Sequence, residues 1–385
     1  MVAIIWESPW NTKSLAKILQ CFCLVTACLL VQGMVTGTFA QNANRNAQRD
    51  ALNRLSVMIS ADHPDSTMMK LADDLSVTLD SGENALRIVP IVGDGAKGNL
   101  RDLLLLRNVD VGFTDLVALK KLREDRELSQ APWLEVAYIA TLFPDKIQIF
   151  ARKDIGNIKQ LDGAKISVGL EGSGSELHGK QILGALGLNY TPLYLAVPDS
   201  AEALVKGEID AMICFCQSSP GLYKQLAFNL DIHILPVPFN PSLHADYLPA
   251  TIEHEEFPYF VREGDRIETV AVTLALVTYN WKKDNQRYKR VERFVESFFS
   301  NMSRLQEEPR HRGWKLVELS AQAPGWPRFP AAQEWLDERR GQALQEMRVA
   351  FNEFLDRWSE PVAQVKQSEQ TQLFEEFLRW RASAQ

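Results

Sequence analysis

Basic charge is in short supply in this chain. Its 385 residues hold 42 Lys and Arg against 49 Asp and Glu, a net charge of −7, which is a poor match for a phosphate backbone and argues against nucleic acid as a partner. Cysteine is scarcer still. Of five, Cys21, Cys23 and Cys28 fall within the first 40 residues, so only Cys214 and Cys216 remain beyond them. Two cysteines make no disulfide framework, and without a second ligand pair they make no zinc site. A bridge between residues two apart on a strand is strained, so the pair reads as two small buried apolar groups. Other absences concern chemistry. Gly174 to Lys180 has the spacing GxxxxGK, but Gln181 stands where a phosphate loop needs Ser or Thr to hold magnesium. Gly172-Ser173-Gly174-Ser175-Glu176 lacks the second glycine of a nucleophile elbow. A thiol nucleophile at Cys214 or Cys216, served by His178 or His233, has no helix start beside it to lower its pKa. No enzyme, cofactor or metal is expected.

Long apolar runs are also missing, except one. Lys13 and Lys17 precede the mostly apolar stretch Ile18 to Val35, and Thr38-Phe39-Ala40 follows with small residues at the two positions a signal peptidase reads. Residues 1–40 therefore read as a cleaved export signal, and the mature protein as periplasmic and not membrane-spanning unless that segment is retained. Val25-Thr26-Ala27-Cys28 also fits a lipoprotein box, but the chain after Cys28 stays apolar where a tether is normally polar. Gln20 and Gln32 weaken a permanent span. Residues 1–40 hold two lysines and one glutamate, so the remainder carries −8. Export also removes the supply of ATP.

What is present is an alternation of strand and helix. Leu55–Ile59 and Leu86–Val92 are short β-rich runs, and between them Met68, Leu71, Leu75 and Leu79 recur at helical spacing over 66–79. The order continues with a helix over 99–107, a strand over 109–113, a helix over 116–126 and strands over 136–142 and 147–152. Further on come a strand over 165–169, a helix over 175–186, a strand over 191–195, a helix over 200–206 and strands over 211–215 and 269–278. The βαβ order predicts parallel strands, in an α/β fold of two parallel or mixed sheets. Two sheets sharing a cleft suit the length, with 50–146 and 269–340 as one lobe, 147–268 as the other, and hinge strands near 147–152 and 269–278.

In open α/β sheets ligands sit beyond the carboxyl ends of strands, where loops and helix starts converge. Five polar or glycine-rich turns fall at such ends, and they supply the candidate ligand-binding residues. The first carries Asp62, His63, Asp65, Ser66 and Thr67. Gly93 and Asn99 flank the second, Thr114 and Asp115 form the third, Gly172, Ser173, Gly174 and Ser175 the fourth, and Gln217 the fifth. The fourth suits an anion, because backbone N–H groups are free at a helix start. Plain capping by Ser173 or Ser175 is the competing reading.

The stretches GDGAKGNLRDLLLLRNVDVGFTD, FARKDIGNIKQLDGAKISVGLEGSGSELHGKQILGALGLN, ALVKGEIDAMICFCQSSPG and YLPATIEHEEFPYFVREGDRIETVAVTLALV resemble the solute receptors of the TAXI class of TRAP transporters, from about Leu55 to Thr278. The resemblance implies a type II-like, two-lobed periplasmic binding protein that closes on a small organic anion or amino acid and delivers it to a cation-driven permease. A ligand-sensing role toward a membrane signalling protein fits the same features. The departures fall on ligand-facing turns. The family's glycine-rich, tyrosine-ended first loop is replaced by Asp62, His63 and Asp65, the Gln before Asp115 by Phe113-Thr114, and a Gly-x-Pro turn by Cys216 to Pro220. A carboxylate ligand against Asp62 and Asp65 is repelled unless a cation or His63 intervenes, so these acids favour ligands with an ammonium group.

Residues 341–385 lie outside the resemblance. Leu344, Met347, Phe351, Phe354 and Trp358 step by 3 and 4, and Pro361 separates them from an amphipathic piece with Phe374, Phe377 and Leu378. The spacing predicts a helical hairpin packed on the first lobe.

Overall fold

The computed structural model describes residues 45, 55–64, 66–80, 86–124, 136–215, 220–228, 231–358 and 372–379. The chain divides into two units, 1–56 and 57–385. The expected export signal over 1–40, Asp65, Cys216 and Gln217 lie outside the described residues.

Two mixed sheets organise the rest. The first contains β1 (Ser56–Ser60), β2 (Arg87–Ile91), β3 (Val111–Asp115), β4 (Val136–Lys146) and two later strands, β10 (Leu248–Glu253) and β11 (Arg266–Tyr279). The second contains β5 (Gln148–Arg152), β6 (Lys165–Ser167), β7 (Thr191–Leu193), β8 (Ala211–Cys214) and β9 (Ile232–Ile234), in the order β7-β6-β8-β5-β9. Helices follow the strands as the spacing predicts at α1 (Thr67–Leu79), α2 (Ala96–Leu105), α3 (Leu116–Glu124), α4 (Gly174–Ala185) and α5 (Val197–Val205), and a further helix, α6 (Pro220–Ala227), was not anticipated. After β11 come α7 (Gln286–Ser300), α8 (Met302–Leu305) and the long α9 (Pro330–Trp358).

The sheets are not purely parallel. β1 pairs with β3, and β6 with β7 and β8, in parallel, but β11 runs antiparallel to β3, β4 and β10, and β5 antiparallel to β8 and β9. The antiparallel strands are those that carry the chain from one sheet to the other. β4 leads directly into β5, and β11 passes back beside it. The crossing is bonded: Ile147 N–H donates to Val270 O at 3.0 Å, and Thr269 Oγ1 to Ile147 O at 2.6 Å. Along β11 the apolar side chains change core. Val270 and Val272 pack with Ile147, Ile149 and Ile166 of the second sheet, whereas Leu274 to Val277 pack with Val111, Phe113 and Ile139 of the first. One strand thus anchors both cores, and burial on both faces explains its nearly unbroken apolar run. β10 escaped the sequence reading because it is a half-exposed edge strand with a proline, Pro249, a position an edge tolerates.

Two expectations are corrected. Cys214 is buried as anticipated, but it is disulfide-bonded, its partner lying outside the described residues. The hairpin does not lie on the first lobe along its length. Trp335 packs edge-on to Phe299 of α7 at 5.2 Å, yet most side chains over 337–350 are exposed. Farther along, Phe351 packs against Phe374 and Phe377 of a helix over 372–379, at 5.5 and 5.4 Å. The aromatic seam is used within the hairpin itself.

Candidate functional site

Between the strand ends of the two sheets lies a narrow cavity. It is lined by Asp62, Ser66, Thr67, Met68, Asp115, Asp145, Gly174, His178, Phe215, Val272 and Leu274, and the space between its atoms is about 270 Å³. A water centre can move over only about 10 Å³ of it, which is room for about one water. Three of the lining residues are aspartates, all buried. None is a lysine or arginine.

Each acid reaches the cavity by a different route. Asp62 follows β1, and its Oδ1 accepts the His63 N–H at 2.7 Å. Burial pushes its carboxyl above the usual range; the nearby His63 ring and that backbone bond pull it down, and Asp94 adds repulsion. Asp115 ends β3, where its Oδ1 accepts the Ala118 N–H at 2.7 Å and so caps α3. Asp145 sits in the hinge strand β4, opposite Val272 of β11. Burial pushes its carboxyl up to about 7, opposed by the Thr67 hydroxyl and the Lys146 backbone, with Asp115 repelling it further. Even so, Asp145 Oδ1 and Thr67 Oγ1 complete no hydrogen bond of normal geometry.

Across the cavity the sheets are latched through polar side chains. His178, from α4 on the second sheet, bonds Asp115 Oδ2 through Nε2 at 3.0 Å and Tyr247 Oη through Nδ1 at 2.9 Å. Tyr247 donates to Gln181 Oε1 at 3.3 Å, Gln181 Nε2 donates to Asp246 at 2.7 Å, and Lys120 of α3 meets the same carboxylate at 2.5 Å. The chain begins and ends on α3 and its cap. Burial raises the pKa of Tyr247, and the charges of Asp115 and Asp246 add to the effect.

The fourth turn is a built helix start. Ser173 Oγ accepts the Glu176 N–H at 3.2 Å, and Glu176 reaches back to the Gly172 N–H at 2.6 Å, a capping arrangement that uses the donors an anion would need. Gly95, at φ +88°, lies against it from the first sheet; a Cβ there would stand 2.7 Å from Gly174 N. Gly95→Ala adds a strained left-handed alanine to that collision. It is expected to separate the two turns, raising the radius of gyration in solution scattering above the parent's. Ser173→Ala is expected to cost about 0.5–2 kcal/mol of stability and to leave solute affinity within twofold. A larger loss of affinity, measured by calorimetric titration, restores the anion seat.

The structure thus gathers Asp62, Ser66, Thr67, Asp115 and Gly174 into one cavity lining. Ser66 also caps α1, accepting from Met69 N–H at 3.1 Å. Others support the wall from behind. Asn99 accepts from Ser60 and donates to Phe113 O, Thr114 donates to Ala96 O, and Gly93 has no room for a Cβ beside Asn99. His63, Gly172, Ser173 and Ser175 stand outside the lining. Sequence reasoning missed Met68, Asp145, His178, Phe215, Val272 and Leu274 as site residues. Phe143-Pro144-Asp145 reads as a turn between strands, yet β4 runs through it, with a register shift in its pairing opposite Pro144. His178 follows the glycine turn by one helical turn, which places it over the strand ends.

This chain belongs to the NMT1-like family, whose model matches residues 70–339, well over half of its length. Among solved structures it is similar to the periplasmic aliphatic sulphonate binding protein SsuA from Escherichia coli, with 16% identity over 73% of this chain and 82% of that one and a TM-score of 0.39. DctP7, a Bordetella pertussis extracytoplasmic solute receptor binding pyroglutamic acid, shares 13% identity over 68% and 80%, with a TM-score of 0.39. MatC from Rhodopseudomonas palustris with bound malate shares 15% over 66% and 85%, with a TM-score of 0.44. Among the described residues, no helix is long and apolar enough to cross a membrane.

Proposed function

We propose that this protein is an extracytoplasmic solute receptor of the TAXI type, which closes two lobes on a small molecule and presents it to a TRAP-type membrane permease. The lobes are 50–146 with 269–340, and 147–268; residues 341–385 are an appended helical piece. The observation that carries the reading is the narrow cavity, which lies between strand ends of two sheets joined through crossing segments at Lys146–Gln148, Thr269–Val272 and 235–247 and latched by Asp115 and His178. A permanent core has no need of such an arrangement, because buried acids facing a void cost stability unless something occupies it. Opening at the crossing strands admits a solute, and closure removes it from water.

The role needs no catalytic residue and no cofactor. Protein purified without unfolding is expected to carry a small solute that native mass spectrometry detects and that denaturation releases. Turnover of ATP or acyl esters that disappears with Lys180→Ala or Cys214→Ala would replace the receptor reading with an enzymatic one.

A further inference from the structure

The cavity contains more acid than its own groups neutralise. Asp62, Asp115 and Asp145 line it without a lysine or arginine; His178 is directed at Asp115, the His63 ring stands 4.0 Å from Asp62, and Lys146 acts on Asp145 only from outside the lining. Asp115 is satisfied by His178 and the Ala118 N–H, and Asp62 by the His63 N–H. Asp145 differs. Its Oδ1 is buried without a partner, as is the Oγ1 of Thr67, and both residues are about 1% exposed. An acceptor carboxylate and a hydroxyl, unpaired and facing a void of about one water, lack a donor with several N–H groups. Among the described residues, no three acidic, histidine or cysteine groups are arranged to hold a metal ion.

We propose that this cavity recognises a primary ammonium group, seated by Asp145 and Thr67 in the negative field of Asp62 and Asp115, so that the solute is a small amine or amino acid and not a plain organic anion. This rests on the receptor reading and deepens it. A primary ammonium has three N–H donors. One meets Asp145 Oδ1, one meets Thr67 Oγ1 while that hydroxyl's proton turns to Asp145, and the third is left for a neighbouring carboxylate. A plain carboxylate meets only like charge there, at low dielectric. The void has room for about one water, which is the size of an ammonium head group, and opening at the crossing strands makes room for the rest of the solute.

The test is calorimetric titration of the purified protein with matched pairs, L-alanine against propionate and L-glutamate against glutarate, together with ethylamine and with sodium and calcium chloride alone. The ammonium-bearing member of a pair is expected to bind at least about tenfold more tightly than its mate. Asp145→Asn is expected to weaken it by about 10- to 100-fold, as for a hydrogen bond to a charged group. Thr67→Val is expected to weaken it several-fold and Thr67→Ser to retain it, with circular dichroism confirming that each variant is folded. Mates that bind equally well or better, an Asp145→Asn variant of parental affinity, or binding by a metal ion alone each overturns the proposal. Native mass spectrometry separates this from failure of the receptor reading. A co-purifying solute without an amine defeats the ammonium seat only, whereas no co-purifying solute and no binding by any compound defeats both.

Discussion

Asp145→Asn is expected to make the solute-free protein more stable at pH 8 than the parent, while weakening amine binding by about 10- to 100-fold. The carboxyl is about 1% exposed and its pKa is pushed up to about 7 from 3.8. The folded state therefore holds this proton over a range in which the unfolded chain has released it. Stability from this group is complete below about pH 4 and is lost as pH rises through about 7. A shift of about three units corresponds to on the order of 4 kcal/mol above pH 7, a ceiling that relaxation of the hinge reduces. The amide carries no charge to bury and offers Thr67 Oγ1 a partner. The groups around it are Thr67, Lys146 and Asp115, with Asp62 and His178 lining the same cavity. Melting curves at pH 5 and pH 8 measure the effect: the variant's advantage grows between them by several degrees. An advantage equal at both values means that Asp145 is not the buried acid described here. Added amine narrows the gap for the parent alone, because it stabilises the ionised form.

His178→Ala acts in the opposite direction. Its imidazole is wholly buried and bonds Asp115 at 3.0 Å and Tyr247 at 2.9 Å. Removing it leaves a buried carboxylate short of its partner, which costs about 3–5 kcal/mol. It also cuts the latch between sheets, so scattering is expected to show a larger radius of gyration. The double variant His178→Ala with Asp115→Asn tests the cause. With the stranded charge removed it is expected to recover part of the lost stability but not the closed dimensions. If the double variant is as unstable as the sum of the singles, charge coupling between the two residues is absent.

The fold was legible where periodicity is local. Met68, Leu71 and Leu75 declare α1, and β1 to β8, β11 and α1 to α5 lie within a few residues of where the pattern puts them, whereas β9, β10 and α6 were not anticipated. Which strands of the mixed sheets run antiparallel was not legible. The alternation suggests parallel strands, and the antiparallel pairing of β4, β5 and β11 appears only when the chain crosses between sheets and returns. The site was half legible for a related reason. Turn chemistry marked Asp62, Ser66, Thr67, Asp115 and Gly174, because polar residues at strand ends have few other uses. The same signal also raised Asn99 and Thr114, whose side chains are spent on backbone carbonyls, and Ser173, which is spent on its helix.

By itself the sequence determined the alternating elements, the polar turns at their ends and the acidic character of the first turn, since each depends on residues near one another in the chain. Only the tertiary structure decided which turns meet. Asp145 is unremarkable in its own segment, and His178 is one histidine in an amphipathic helix. Packing across sequence separations of 78 and 63 residues brings Asp145 to Thr67 and His178 to Asp115. The charge state and partners of a buried group depend on what surrounds it in space, and linear spacing does not carry that information.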